Sequence, residues 1–327
     1  MTKTHEESIV PRERASRLHL YSRLVAACTL FLIFAGGMVT STGSGLAVPD
    51  WPLSYGMLMP PMIGGIFYEH GHRMIATLVG LLTIGLAIWL HRTEERVWLR
   101  RLGWGALGAV CLQGLLGGIT VLYFLPTAVS VSHAGLAEIF FAITVSIAIF
   151  TSPGWKRRVV YRERSHALRF TTITATLATI VFVQIMAGAL MRHTGAGLAI
   201  PDFPLVFGGL IPAEFTTAIA THYIHRVGAL FVASIVIWVL GRAWRDHRDQ
   251  PEILRPALLL GLLLVVQIAL GGYTVLSEKL PVPTSLHVVT GAAMWGASVI
   301  LALRARRHLS VPEQTETASI GLSEATA

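Results

Sequence analysis

Charge is what this sequence has least of. Asp, Glu, Lys and Arg make up 13% of the chain against 53% hydrophobic residues, a balance that excludes an ordinary soluble domain of this length. Cysteine is nearly absent: Cys28 and Cys111 are the only two, both inside apolar runs, and no CxxC occurs. Both are expected to be inert core residues. No small-residue cleavage site follows the first apolar run, and the chain before it is polar and basic up to Arg23. A cleavable signal peptide is therefore not expected, and the first run should stay in the protein.

What the sequence does contain is long apolar stretches. Crossing a bilayer as a helix takes about 20 mainly apolar residues, and eight such stretches can be counted, at about 22–41, 67–90, 102–123, 130–150, 170–191, 217–240, 256–276 and 284–303. All but four of the 26 Lys and Arg residues fall on one side of the spans so drawn; the exceptions are Arg73, Arg192, Arg226 and Lys279. Basic residues in short loops stay cytoplasmic. The expected protein therefore lies in the plasma membrane with both termini inside. Its net charge of +8 reads as topology and contact with membrane lipid, not with nucleic acid.

The chain also repeats itself. "TGSGLAVPDWPL" at 42–53 returns as "TGAGLAIPDFPL" at 194–205, "EHGHRMIATLVG" at 69–80 as "HYIHRVGALFVA" at 222–233, and "QGLLGGITVL" at 113–122 as "QIALGGYTVL" at 267–276. "SVSHAGLAE" at 130–138 matches "TSLHVVTGA" at 284–292, so the offset stays between 152 and 154 throughout. A constant offset means a duplicated four-span unit. With an even number of spans, both copies enter the membrane the same way round. The expected fold is an all-α integral membrane protein of eight transmembrane helices, arranged as two pseudo-symmetric four-helix bundles. The boundaries are a cytoplasmic arm 1–21, an N-terminal bundle 22–150, a basic cytoplasmic linker 151–169, a C-terminal bundle 170–303 and a polar, disordered cytoplasmic tail 304–327.

Four histidines keep register through the duplication: His72 with His225, and His133 with His287. Each falls near the outer end of an even-numbered span, where an ionisable or metal-binding group is costly and marks function. Two imidazoles on facing helices can hold a planar iron porphyrin by both axial positions. Hence two haem sites towards the outer face are expected, and the absence of CxxCH excludes covalent attachment. Three residues before the histidine the halves differ: Glu69 in one, His222 in the other. Positions i and i+3 share a helix face, so Glu69 should lie beside the His72 site. A carboxylate there is costly unless it is paired or works with protons. The asymmetry suggests that one bundle does chemistry and the other holds a fixed cofactor.

Taken together, the "TG-GLA-PD-PL" loops, the "E-x-x-H-R" and "H-x-x-H-R" helix starts and the His133 and His287 helices resemble the haem A synthase family, over about residues 20–305. The resemblance implies oxidation of a methyl group of haem O to a formyl group, giving haem A for cytochrome oxidase maturation. It implies haem b on axial ligands His225 and His287, haem O as substrate on His72 and His133, and Glu69 as the catalytic residue. It also implies a haem O synthase (protohaem farnesyltransferase) as upstream partner and an electron acceptor or donor. Some members carry a cysteine pair in the first outer loop; this sequence has none.

Other readings stay open at this level. A di-haem b membrane cytochrome passing electrons from quinol could use the same four ligands, and a haem or lipid transporter could use the same repeat. Arg73 and Arg226 could pair with haem propionates or snorkel to the interface. The glycines of "GLLGG" and "ALGG" could admit a macrocycle or a neighbouring helix. Asp50 and Asp202 read as turn-makers beside proline. Trp51 and Phe203 could cover a macrocycle or dip into the interface.

Overall fold

A computed structural model of the chain describes residues 9–156, 161–162 and 168–310. In the first half, α1 (Ile9–Ser41), α2 (Gly65–Thr93), α3 (Val97–Leu122) and α4 (Thr127–Thr151) follow one another, and the one-turn α5 (Pro153–Lys156) closes the half. The second half runs α6 (Phe170–His193), α7 (Thr217–Asp246), α8 (Pro251–Leu276) and α9 (Pro281–His308). Two-residue strands β1 (Tyr161–Arg162) and β2 (Leu309–Ser310) pair in parallel. The eight long helices are each long and apolar enough to cross a membrane. The chain is thus an all-α, multi-pass membrane protein.

Several helices run past their apolar windows. α1 starts at Ile9, inside the segment expected to be an arm, and α7 continues to Asp246. An ion pair of Arg242 with Asp246, 2.8 Å apart on the same helix, lets that last turn stay helical. Residues 1–8, 157–160, 163–167 and the expected tail from 311 onwards lie outside the described residues.

The duplication is carried into backbone detail. α3 and α8 end in the same hairpin turn, with Phe124 and Leu125 in one and Glu278 and Lys279 in the other at positive φ. Leu125 N–H closes on Thr120 O at 2.7 Å and Lys279 N–H on Thr274 O at 2.8 Å. These long return bonds satisfy carbonyls that a helix end leaves open. α1 and α6 end in the same way, but with Gly43 (φ 67) and Gly195 (φ 73) at the left-handed position. The glycine of "TG" is therefore a helix stop that a side chain would strain.

The helices form two rings of four. α1 packs on α2 and α4, and α3 on α2 and α4; α6 packs on α7 and α9, and α8 on α7 and α9. Val79, Leu86, Leu99 and Phe140 lie in the core of the first ring, and Leu177, Val236, Leu260 and Leu301 in that of the second. The rings meet where α4 and α9 touch, flanked by α1 on α9 and α4 on α6. Phe141 of α4 sits directly on Gly296 of α9, where a Cβ would lie 2.8 Å from its ring. Between helices in lipid the hydrophobic effect contributes little, so close contacts of this kind hold the halves together. Leu112, Leu115, Leu262 and Val265 face outward, as lipid-facing positions should. Cys28 packs against the core of the first ring, but Cys111 is exposed on the outer face of α3. Its apolar context alone did not say which face of the helix it occupies.

Candidate functional site: two histidine pairs beneath two strapped loops

Each "PD-W/F-PL" loop leaves the end of α1 or α6 and crosses its own bundle. Its aspartate builds the far turn. Asp50 accepts the N–H groups of Tyr55 and Gly56 at 2.6 and 2.8 Å, and Asp202 those of Phe207 and Gly208 at 2.9 and 2.8 Å. Both carboxyls are held below the ordinary value of 3.8, chiefly by the Gly56 or Gly208 N–H, with Tyr55 or Phe207 and the charge of Arg73 or Arg226 adding to it. The turn-making role expected from the sequence is what the geometry displays.

The loop aromatic lands on the third helix of its ring. A Cβ on Gly118 of α3 would lie 2.6 Å from Trp51 Cδ2, and one on Gly272 of α8 would lie 2.6 Å from Phe203 Cε1. The preceding glycine in each pair faces a histidine instead: Gly117 meets His133 at 3.2 Å and Gly271 meets His287 at 2.9 Å. The two glycines thus divide the work. One admits the imidazole and the other admits the loop aromatic, which lies over the helix with 37% of its surface exposed.

Arg73 and Arg226 neither snorkel nor stand free. Arg73 donates from Nη1 to Asp50 O and Leu53 O, both at 2.8 Å, and Arg226 donates to Leu205 O, Ile200 O and Asp202 O at 2.9, 3.0 and 2.7 Å. Each guanidinium straps the loop backbone to its helix. Glu69 joins the first strap: it accepts Val48 N–H at 2.8 Å and Arg73 Nη2 at 2.7 Å, and it is 3% exposed. His222 occupies the same place in the second, with Nδ1 3.2 Å from Ile200 N and Nε2 3.1 Å from Arg226 Nε. A neutral imidazole has one lone pair and accepts only one of these two N–H groups, whereas the Glu69 carboxylate accepts both of its own.

The sequence-derived histidines come together in pairs. His72 and His133 lie within electrostatic reach of each other, as do His225 and His287. A glycine of the first helix of each ring faces the second-helix imidazole: Gly36 meets His72 at 3.1 Å and Gly188 meets His225 at 2.8 Å. Small residues on two sides let each imidazole lie close against the neighbouring helix. The pairs differ in how their second nitrogens are held. Gln184 Nε2 stands 3.1 Å from His225 Nδ1 and donates to the His225 carbonyl at 2.7 Å, while His287 Nδ1 donates to Gln267 O at 3.2 Å. By contrast, His72 Nδ1 is buried without a partner among the described residues, while the Gln113 backbone stands beside the His133 ring as Gln267 does beside His287. Histidines that hold iron are oriented by what the other nitrogen bonds, and the difference between the halves is Gln184 beside His225, for which His72 has no counterpart.

Some of these residues escaped the sequence reading. Gln113, which donates to His133 O at 2.9 Å, and Gln267 both stand in the quoted "QGLLGG" and "QIALGG" repeats but were given no role. Gln184 breaks the repeat, because Leu32 occupies its counterpart position; that departure was a usable signal. His193, with no counterpart in the first half, comes within electrostatic reach of His133 from the other ring. His70, bonded to Ser54 Oγ at 2.8 Å, adds a further tie to the first loop.

The fold and its sites define a class: a polytopic membrane protein of two four-helix rings, each holding a facing pair of imidazoles under a strapped loop. Comparison with known proteins narrows the class. Residues 64–299 match the model of a family described as cytochrome oxidase assembly protein (COX15-CtaA). A haem A synthase of Alkalihalophilus pseudofirmus is 30% identical over 271 residues, 79% of this chain and 87% of that protein. Those of Symbiobacterium thermophilum and Geobacillus kaustophilus are 29% and 28% identical, covering 90% and 89% of this chain and 95% and 93% of theirs. The chain belongs to the cytochrome oxidase assembly protein family.

Proposed function

We propose that this chain is a haem A synthase, which oxidises a methyl group of haem O to the formyl group of haem A. Haem O binds as substrate in the N-terminal bundle, segment 22–150, between His72 and His133. Haem b is held as cofactor in the C-terminal bundle, segment 170–303, between His225 and His287. The observation that carries this division is the unequal support of the second-helix ligands: Gln184 stands at His225 Nδ1, and His72 Nδ1 has no partner among the described residues. A ring oriented by its second nitrogen suits a resident group, and an unheld ring suits one that arrives and leaves. The names of the relatives supply the reaction, since they are haem A synthases.

His225 and His287 would hold haem b, which would supply electron transfer to or from a partner. The other steps belong to side chains. Trp51, seated on Gly118, closes the mouth of the N-terminal bundle and keeps water from the reacting edge. Glu69, buried three residues before His72, places negative charge where the methyl carbon loses electrons. It can also take a proton from that carbon if the Arg73 bond lengthens. His222 in the C-terminal bundle takes the place of Glu69 beside the loop without bringing a carboxylate, as suits a site that does no chemistry. The loops and both histidine pairs sit at the end of the spans opposite most of the basic residues, which supports an outward-facing site and cytoplasmic termini. Haem O synthase, the protohaem farnesyltransferase, is the partner whose product this reaction consumes.

Extraction of the haems from the purified protein, identified by mass, tests the reading. Haem b together with haem O, its hydroxylated form or haem A is expected. Haem b alone in both sites would instead indicate an electron-carrying di-haem cytochrome.

A further inference from the structure

The cation that ends α6 has no acidic partner among the described residues. Arg192 directs Nη2 into the seam between the rings, donating to Gly37 O at 2.8 Å and Ser41 Oγ at 2.7 Å, both on α1. Ser41 Oγ lies 3.0 Å from Ser285 Oγ on α9, two residues before His287. Gly37 lets this happen, since a Cβ there would lie 3.3 Å from that of Ser285, which is fully buried. The guanidinium is close enough for its charge to reach His287. Its Nε and Nη1 donate to no described residue. An uncompensated cation among apolar helices is costly and calls for an anion. With both Nη2 hydrogens committed, Nε or Nη1 can still make a single charge-assisted hydrogen bond to a carboxylate.

The repeat makes the feature one-sided. Offset by 152, the position of Arg192 in the first half is Thr40, which carries no charge. The other outer arginines, Arg73 and Arg226, are committed to loop carbonyls and so do not serve.

Resting on the placement of haem b at His225 and His287, we infer that Arg192 binds a propionate carboxylate of that haem and retains it, while Thr40 leaves the haem of the N-terminal site without such an anchor. The ion pair anchors the resident group across the seam. Its absence in the other ring lets substrate and product exchange.

The test uses the purified full chain. Haem transfer to excess apomyoglobin and the reduction potential of haem b are measured for the wild type, Arg192→Gln, Arg192→Lys and Thr40→Arg, with His287→Ala as reference. Arg192→Gln should release haem b about tenfold faster and lower its potential, because a nearby cation favours the reduced form. Arg192→Lys should restore the potential more than the release rate, having the charge without the planar guanidinium that spans Gly37 O, Ser41 Oγ and a carboxylate at once. Thr40→Arg should slow release from the N-terminal site severalfold and leave haem b unchanged. If Arg192→Gln matches the wild type in rate and potential while His287→Ala loses haem b, Arg192 is not the anchor and the placement of haem b stands. If His287→Ala keeps its full haem b spectrum, the placement itself is wrong. Should Arg192→Gln fail to fold, unchanged release in both Arg192→Lys and Thr40→Arg overturns the anchor.

Discussion

Glu69 and Arg73 stand one turn apart on α2, joined at 2.7 Å, and between them they hold the backbone of the first loop from Val48 to Leu53. In the second half Arg226 likewise reaches Ile200 O, Asp202 O and Leu205 O, while neutral His222 accepts one N–H where Glu69 accepts two. The guanidinium strap therefore persists without a carboxylate, which leaves the charge of Glu69 open to a second purpose.

Replacing Glu69 separates the two roles. Glu69→His copies the second half and should keep the loop fastened, while Glu69→Gln keeps an acceptor for Val48 N–H. Both should lower haem A production by about a hundredfold or more, the range for losing a positioned acid–base group, with haem O still bound. Limited proteolysis of the loop and haem analysis by mass check the two halves separately. Normal haem A from either variant removes Glu69 from the chemistry.

The seating of Trp51 predicts a steric effect. Gly118→Val puts a side chain where a Cβ already lies 2.6 Å from the indole, so Trp51 must leave its place, at a cost of about 1–3 kcal/mol. Quenching of tryptophan fluorescence by a water-soluble quencher should rise and activity fall. The paired substitution Trp51→Ala in the Gly118→Val background should recover stability without recovering activity. Unchanged quenching in Gly118→Val would show that the aromatic does not seal the bundle.

The fixed pair can be loosened and the loose pair fixed. Gln184→Leu gives His225 the neighbour that the first half has, and haem b affinity should fall about 10–100-fold, as for loss of an outer partner of a metal-binding histidine. Leu32→Gln, the reverse exchange, should slow haem release from the His72 site. Measured haem off-rates decide both; equal rates in all variants would sever the link between Nδ1 support and retention.

Acid should open the loops late. Asp50 and Asp202 have carboxyls held below 3.8 by backbone N–H groups. A group depressed in the folded state stabilises it above the ordinary value, and that contribution is lost as pH falls through the lowered one. Protease access to the loops should stay flat from neutral pH down to about pH 4 and rise below it. In Asp50→Asn the first loop should already be open at neutral pH. Opening of the wild-type loops well above pH 4 would show that other groups govern them.

Much of this was legible in the residues. The apolar run lengths produced the spans, with all eight helices overlapping their expected stretches, because a bilayer accepts few alternatives to a helix about 20 residues long. The constant offset brought out the duplication, and with it the four histidines. Glycine followed by glycine in "GLLGG" was readable as close approach, but not as one residue for His133 and the next for Trp51, since neighbouring helix positions face different partners. The i,i+3 spacing put Glu69 on the face of His72, yet the fold turned its oxygens to Arg73, one turn along the same helix, and to Val48 of a loop 21 residues away.

The sequence by itself determined the solvent, the number of crossings, the two-fold internal symmetry and the residue types able to hold iron. These follow from composition, period and spacing, which are local or repeated properties of the chain. Only the tertiary structure decided what each half does differently. Whether a histidine nitrogen is held by Gln184 or left alone, and whether Arg192 faces the seam between the rings or the lipid, depends on which helices pack together. Those contacts join residues more than a hundred positions apart in the case of Arg192 and Ser41, and no local pattern encodes them.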